Sequence, residues 1–266
     1  MERHQLKRIM IIILAILNGF LGLYLARRRV SAQAAAYRAE QRLLELFAAD
    51  GVNVSPDTIP RGAPPPIVLL SPDSAEQARA AAFFLGDGAE HTQQGSVQRY
   101  RAGKSVVRFH ADGSFTATGL SIRTDPKAFC REFCRNWSYA PPDPDSFYDS
   151  DGEILLTARY GALSVYNCGV CFSFEGDTLR EAFGTLIPQT GATGETPDLT
   201  AMGALAIFQA KRRENRVVST EIRRVSLCYA LQSADGEDLT LVPLWCVETD
   251  TVPYYVNCVT GALIFS

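Results

Sequence analysis

The apolar run from Ile9 to Ala26 constrains this chain most, because its 18 residues include no charged side chain. As an α-helix the run would measure about 27 Å, enough to cross the hydrocarbon core of a bilayer. The alternative is a cleaved signal peptide, since basic residues precede the run and small residues follow it over positions 31–36. Signal-peptide apolar regions are shorter, about 7 to 15 residues, and arginines close this run at positions 27–29. We therefore expect a retained transmembrane helix over residues 9–26, behind a short basic tail at residues 1–8.

One face of the predicted transmembrane helix collects small and polar residues, namely Ala15, Asn18, Gly19, Gly22 and Ala26. These positions are spaced i, i+3, i+4, i+7 and i+11, so they share a face, which we call the seam. Small side chains let the backbone of another helix approach closely, and the Asn18 amide can hydrogen-bond across such a contact. We predict that the seam binds the membrane helix of a partner protein. The alternative is a lone anchor, because small residues are common in membrane helices generally.

The distribution of charge argues against a nucleic-acid role. Residues 1–29 hold six Lys or Arg and one acid, so 20 basic and 28 acidic groups remain for residues 30–266. Phosphate binding needs a positive field, which an acidic body does not supply. Basic residues lie on both sides of the apolar run, so the positive-inside rule does not set its orientation, and Arg38 and Arg42 lean against an exported body.

After the apolar run the sequence predicts a helix, a linker and folded units. Residues 33–49 show the helical spacing of apolar side chains and stop at Asp50-Gly51, which predicts a stalk continuous with the membrane helix. Five prolines over residues 52–66 predict a linker. The juxtamembrane helix and linker thus cover residues 27–66, a first α+β unit covers residues 67–120, and paired α+β units cover residues 121–266.

Three segments place a capping side chain before a proline, which is tolerated in the first helical turn: Ser71-Pro72, Asp125-Pro126 and Thr196-Pro197. Strand-like segments follow each predicted helix. They cover 97–110 and 114–120 after the first, 154–160 and 163–174 after the second, and 217–231, 239–247 and 254–265 after the third. A helix followed by a meander, repeated along the chain, predicts an α+β fold with antiparallel sheets behind the N-terminal transmembrane helix.

No sequence motif points to catalysis. The Gly-x-Ser-x-Gly, Walker, dinucleotide-binding and His-Glu-x-x-His patterns are absent from the sequence. His91 and His110 have no nucleophile beside them in sequence. An acidic loop over 143–151 carries four carboxylates, but its spacing matches a solvated turn rather than an EF-hand. We expect no enzyme activity, no cofactor and no metal.

The seven cysteines leave three interpretations open. Cys130 and Cys134 lie four apart on a predicted helix, and Cys168 and Cys171 form a C-x-x-C pair, so a four-thiolate zinc site is one interpretation. Alternation along a strand, however, points Cys168 and Cys171 to opposite faces. Disulfides are the second interpretation, and buried free thiols among aromatic neighbours are the third. The odd count leaves at least one thiol outside any internal disulfide.

The C-terminal run over residues 241–264, LVPLWCVETDTVPYYVNCVTGALI, resembles the closing hairpin of PepSY-like domains. It has an apolar strand with Pro243 and Trp245, then a Tyr-Val-Asn strand that ends in Thr260-Gly261. With the short basic tail, the span containing LNGFL and the Ile59-Pro60 step, the chain resembles the YycI group of two-component system regulatory proteins, related to YycH. The resemblance covers nearly the full length, although the cysteines and the arginine cluster are not features expected of that group.

This resemblance implies a bacterial single-pass membrane protein with its amino terminus in the cytoplasm and its body outside. It implies a non-catalytic role and two partners, a sensor histidine kinase that controls cell-envelope homeostasis and a companion YycH-like regulator. The alternative is a membrane-anchored extracytoplasmic binding or peptidase-inhibitor module of PepSY type, in which the span is only an anchor. A thiol or zinc enzyme of the envelope is a third hypothesis. We expect Trp245 and Tyr255 to have structural roles, in the core or in cross-strand contacts.

Overall fold

Helices and strands account for most of the residues that the structure, a computed structural model, describes: 3–71, 73–140, 152–214, 218–234 and 238–265. The helices are α1 (Arg3–Ala49), α2 (Ser74–Leu85), α3 (Pro126–Asn136) and α4 (Ala201–Arg213), with a short 3-10 helix at Pro56–Thr58. The acidic loop predicted at 143–151 lies outside the described residues. Within the described parts of the chain, no helix is both long and apolar enough to cross a membrane.

The first helix continues without a break through the predicted stalk. It has 47 residues and ends at Ala49, as the Asp50-Gly51 stop predicted. Gly51 adopts a φ of 73°, a left-handed conformation that glycine reaches at little cost and that commonly ends helices.

A side-chain cap starts α3 where the sequence predicted it. The Asp125 carboxylate accepts a hydrogen bond from Ala128 N at 2.9 Å, and Pro126 occupies the first helical position. Its fixed φ suits that position, and its missing N–H has no partner to lose there.

The other two helices begin later than the sequence predicted. The cap of α2 is Asp73, which accepts a hydrogen bond from Ala75 N at 2.8 Å, and not Ser71. The α4 helix begins at Ala201 and not after Thr196. Thr200 caps α4 by accepting a hydrogen bond from Gly203 N at 3.2 Å. The indole N–H of Trp245 donates to Leu199 O at 2.8 Å, which ties the segment before α4 to the sheet.

The strands reproduce every strand-like segment of the sequence and add seven that it did not indicate: Asn53–Val54, Val68–Leu70, Glu90–Gln94, Ile122–Arg123, Tyr139–Ala140, Thr178–Thr185 and Gly191–Thr193. All but Thr178–Thr185 have five residues or fewer. In chain order the strands are β1 (Asn53–Val54), β2 (Val68–Leu70), β3 (Glu90–Gln94), β4 (Val97–Ala102), β5 (Ser105–Phe109), β6 (Ser114–Thr118), β7 (Ile122–Arg123), β8 (Tyr139–Ala140), β9 (Glu153–Tyr160), β10 (Leu163–Glu175), β11 (Thr178–Thr185), β12 (Gly191–Thr193), β13 (Glu221–Ala234), β14 (Asp238–Thr249), β15 (Pro253–Asn257) and β16 (Leu263–Phe265).

The strands form one mixed sheet whose main path is β12-β2-β14-β13-β10-β11-β6-β5-β4-β3. The α+β class is therefore confirmed, but the expectation of purely antiparallel sheets is wrong. Strand β1 pairs with β13 in parallel, and β10 pairs with β13 in parallel through Val165 and Tyr229. Leu163 and Ser164 at the start of β10 pair with β9, whereas pairing with β11 begins only at Val170. Strand β11 therefore leaves the first part of β10 unpaired, and Val165 there can join β13.

All three helices of the body pack on the same face of this sheet. Val225 of β13 belongs to the core cluster under α4, whereas Tyr229, on the same face of the same strand, belongs to the cluster under α2 and α3. Strand side chains alternate between faces, so an even spacing keeps both residues on one side. The opposite face carries a smaller cluster around Cys228 and Cys246.

The two aromatic residues of the C-terminal hairpin have structural contacts, as the sequence predicted. Trp245 has no exposed surface and belongs to the cluster under α4. Tyr255 lies on the opposite face of the sheet, where its ring stacks on that of Tyr166 with centroids 4.1 Å apart.

Gly184 of β11 marks the closest approach of two strands, and its replacement tests the register of the sheet. A Cβ at Gly184 would lie 2.7 Å from Val170 Cα, and the residue has a φ of 153°. We expect Gly184→Ala to lower the free energy of unfolding by about 3 kcal/mol or more, measured by urea denaturation. The matched control is Gly103→Ala, which also has a positive φ but no atom within 4 Å, and which should cost about 1 to 2 kcal/mol. Equal losses in the two variants would contradict the observed register.

Candidate functional site

The last turns of α1 are built into the core of the body. Phe47 has no exposed surface, and its ring centroid lies 6.4 Å from that of Phe208 in α4. Leu43 and Leu44 pack against the same core cluster. Complete burial of a side chain of this size contributes roughly 1.5 to 3 kcal/mol, so the end of α1 is held as firmly as an internal helix.

Polar contacts fix the residue that follows this end. The Asp50 carboxylate accepts hydrogen bonds from Arg213 Nε at 2.8 Å and from Gln209 Nε2 at 2.5 Å. Arg212 Nη2 donates to the backbone oxygen of Asp50 at 3.1 Å. We call these contacts the Asp50 latch. The Arg213 hydrogen bond, with both arginine charges, holds the pKa of Asp50 below its ordinary value.

The chain after Asp50 is more ordered than the predicted linker. Val52 and Ile59 are buried, and Asn53 and Val54 pair in parallel with Glu221 and Ile222 of β13. The prolines of this segment do not predict the pairing, because the partner strand is distant in sequence.

A groove of about 670 Å³ opens beside α1, on the amino-terminal side of its docked end. We call it the stalk groove. It lies between α1, the segment after the 3-10 helix and the amino-terminal turn of α4, and it is lined by Tyr37, Glu40, Pro60, Arg61, Thr200 and Met202. The Tyr37 side chain is 60% exposed, so a large aromatic surface on the wall of the groove is accessible to another molecule.

The five seam residues all lie in α1, in which the helical spacing places them on one face. Asn18 is exposed, and no atom lies within 4 Å of a Cβ built at Gly19. The surroundings of Ala15, Gly22 and Ala26 are not among the features that the structure describes. Binding of a partner by the seam stays a prediction.

A second concavity, of about 300 Å³, lies at the amino-terminal turn of α2. We call it the α2 cleft. Its lining includes Asp73, Glu76, Gln98, His110, Phe109 and Leu239. Burial raises the pKa of Glu76, and Arg79, 3.6 Å away, opposes this rise only in part. This cleft offers hydrogen-bond acceptors above an apolar floor, an arrangement that can bind a small polar or cationic group.

The cysteines are free thiols rather than disulfides. Cys168 lies in the core cluster under α2 and α3, whereas Cys171 pairs across strands with Leu155 and Phe183, both exposed. The two thiols therefore point to opposite faces, as predicted. Burial raises the pKa of Cys130 and Cys168 to about 12, which keeps both thiols protonated and unreactive. Among the described residues, no three metal-ligating side chains come together.

The sequence contains the two parts of the Asp50 latch, but their association could not be predicted from it. The sequence places a helix end at Asp50 and contains a basic run at 211–213, but Asp50 and Arg213 are 163 positions apart. The only sequence signal for their pairing is an acid just after one helix and bases in the last turn of another. The stalk groove and the α2 cleft gave no sequence signal, because each combines residues from distant segments.

Comparison with known proteins assigns no family. No protein-family model matches the sequence, and no curated protein matches it. The chain is similar in structure to an uncharacterized protein from Eubacterium rectale, with a TM-score of 0.45 and 10% sequence identity. The similarity covers 77% of this chain and 86% of the other.

The Asp50 latch predicts a pH-dependent contribution to stability. Because the pKa of Asp50 is lowered on folding, the contribution is complete above the ordinary pKa of 3.8 and is lost as the pH falls through the lower folded value. We expect Asp50→Asn to lower the urea midpoint at pH 7 and to approach the wild-type midpoint as the pH falls well below 3.8, where the Asp50 carboxylate becomes protonated. The control is Glu45→Gln, which alters an exposed acid of the same helix and should change little at either pH. A difference between Asp50→Asn and wild type that is independent of pH would contradict the latch.

Proposed function

We propose that this protein is a single-pass regulator of the bacterial cell membrane that binds a two-component sensor histidine kinase and modulates its output without catalysis. In this proposal residues 9–26 cross the membrane, residues 1–8 lie in the cytoplasm, and the body, formed of PepSY-like units, lies outside. A companion YycH-like regulator is a second partner. The uncharged run at 9–26 and the resemblance to the YycI group support the proposal.

The observation that carries this proposal is the mechanical continuity between the body and the amino-terminal segment. The 47 residues of α1 form one helix, about 70 Å long. The burial of Phe47 and the Asp50 latch hold one end of it. A change in the body that tilts or rotates this end therefore reaches residues 9–26 instead of being absorbed by a hinge.

Regulation through such a helix requires that it bind one signalling state of the kinase more tightly than the other. A difference of about 1.4 kcal/mol shifts the ratio of the two states tenfold. One interhelical hydrogen bond in a membrane contributes about 0.6 to 2 kcal/mol. A single state-dependent hydrogen bond from Asn18 is therefore large enough to change the output of the kinase.

A second candidate function is an anchored extracytoplasmic binding or peptidase-inhibitor module. The α2 cleft favours it, because the cleft combines partly buried carboxylate and imidazole groups with an apolar floor. In this case the ligand meets the body alone, and residues 9–26 act only as an anchor. Glu76→Gln and His110→Ala would then impair function, and the identity of the span would not matter.

Replacing residues 9–26 with an unrelated apolar span of equal length is expected to abolish kinase regulation while the body remains folded and anchored. Transcription from a promoter controlled by the cognate response regulator measures regulation in the native bacterium, and fractionation verifies anchoring. The double variant Asn18→Leu, Gly22→Leu should reproduce the loss. The control, Ile13→Ala with Leu17→Ala, alters the opposite face of the helix and should retain regulation.

Two outcomes would contradict the proposal. Full regulation by the span-swapped protein would leave only the anchored binding module. Recovery of the mature chain in the soluble fraction, beginning near Ala36, would remove both the anchor and the contact with the kinase.

A further inference from the structure

The stalk groove lies on the same face of α1 as the seam. Gly19 and Tyr37 are 18 residues apart, which is five turns at about 3.6 residues per turn. The same interval separates Gly22 from Glu40 and Ala26 from Leu44. Tyr37 and Glu40 line the groove, and Leu44 packs against the body. One stripe of α1 therefore runs from the seam through the groove to the docked end.

We infer that the stalk groove receives the end of a partner helix that packs on the seam and continues straight out of the membrane. This inference rests on the proposed function and adds the place where the partner helix ends. Tyr37 and Glu40 lie 11 and 14 residues beyond Ala26, about 16 to 21 Å along the axis. The partner helix thus extends about 11 to 14 residues beyond its span before the body stops it.

A second copy of this chain does not fit this position. In a parallel pair joined by the seam, the second α1 would continue to Ala49 along the face on which Leu44 and Phe47 meet the first body. The two bodies would also overlap, because each body docks on the face of its own helix that carries the seam. The occupant is therefore a different membrane protein with a shorter extracytoplasmic helix.

The groove wall defines the chemistry of the helix that fits. Tyr37 and Met202 offer apolar contact, while Arg61 and the amino-terminal turn of α4 supply positive potential. The carboxyl end of a helix carries partial negative charge. The groove therefore suits a helix that leaves the membrane with its carboxyl end outward and has an apolar side chain in its last turn. Glu40 suits a Lys or Arg beside that side chain.

Site-specific photocrosslinking of the full chain in native membranes tests the inference. The probe p-benzoylphenylalanine is introduced at Tyr37 and, separately, at Met202, and the crosslinked peptides are identified by mass spectrometry. We expect both positions to label one peptide, about 11 to 14 residues beyond a membrane span of another protein. The control position is Leu46, which is 42% exposed and lies nine residues, or a half-turn in phase, from Tyr37. It should not label that peptide.

Insertions in α1 test whether the seam sets the register of the groove. Four alanines after Ala35 raise the groove by about 6 Å and rotate it by about 40°, so the crosslink should persist and move about four residues along the partner. Two alanines rotate the groove by about 200°, so the crosslink should disappear.

The inference is overturned if Tyr37 and Met202 label a second copy of this chain, a lipid, a protein without a span or nothing at all. It is also overturned if the crosslink survives the two-alanine insertion unchanged. These outcomes are distinct from failure of the proposed function. A protein that loses regulation when its span is exchanged, yet shows no crosslink at Tyr37, would retain the kinase proposal and refute the occupancy of the groove.

Discussion

The end of α1 is fixed to the body by one buried aromatic ring and one carboxylate. Phe47 has no surface exposed to solvent. The Asp50 carboxylate accepts hydrogen bonds from Gln209 and Arg213 of α4, and Arg212 donates to the backbone oxygen of Asp50. The helix dipole already stabilises cations in the last turn of α4, so a single acid, Asp50, is enough to pair with them. Without these contacts α1 would be attached to the body only through the segment that follows it, in which Val52 is buried and Asn53–Val54 pairs with β13.

The sheet makes the body a suitable base for this helix. Strand β10 pairs with β11 from Val170 onward and with β13 at Val165, and β13 contributes Tyr229 to the cluster under α2 and α3 and Val225 to the cluster under α4. All three helices lie on one face, where their apolar stripes share the sheet as a common wall. The α2 cleft and the end of α1 are therefore connected through one continuous sheet.

Local physical chemistry made some of these features predictable. Strand-like segments of the sequence predicted β4–β6, β9, β10 and β13–β16. The Asp125-Pro126 pair predicted the start of α3, because its cap is complete within four residues. The predicted starts of α2 and α4 were wrong, because a cap later in the sequence, Asp73 for α2 and Thr200 for α4, begins each helix. The parallel pairing of β1 and β10 with β13 depends on contacts between distant segments, as do the Asp50 latch and the stalk groove.

Native-state hydrogen exchange of the segment Leu43–Asp50 tests most directly whether α1 and the body are one unit. If they are, these amides exchange only when α4 also opens, so their protection equals that of the Leu205–Gln209 amides and falls together with it in dilute denaturant. Exchange of Leu43–Asp50 at the rate of a frayed helix end, while α4 remains protected, would show that the helix is not rigidly held by the body.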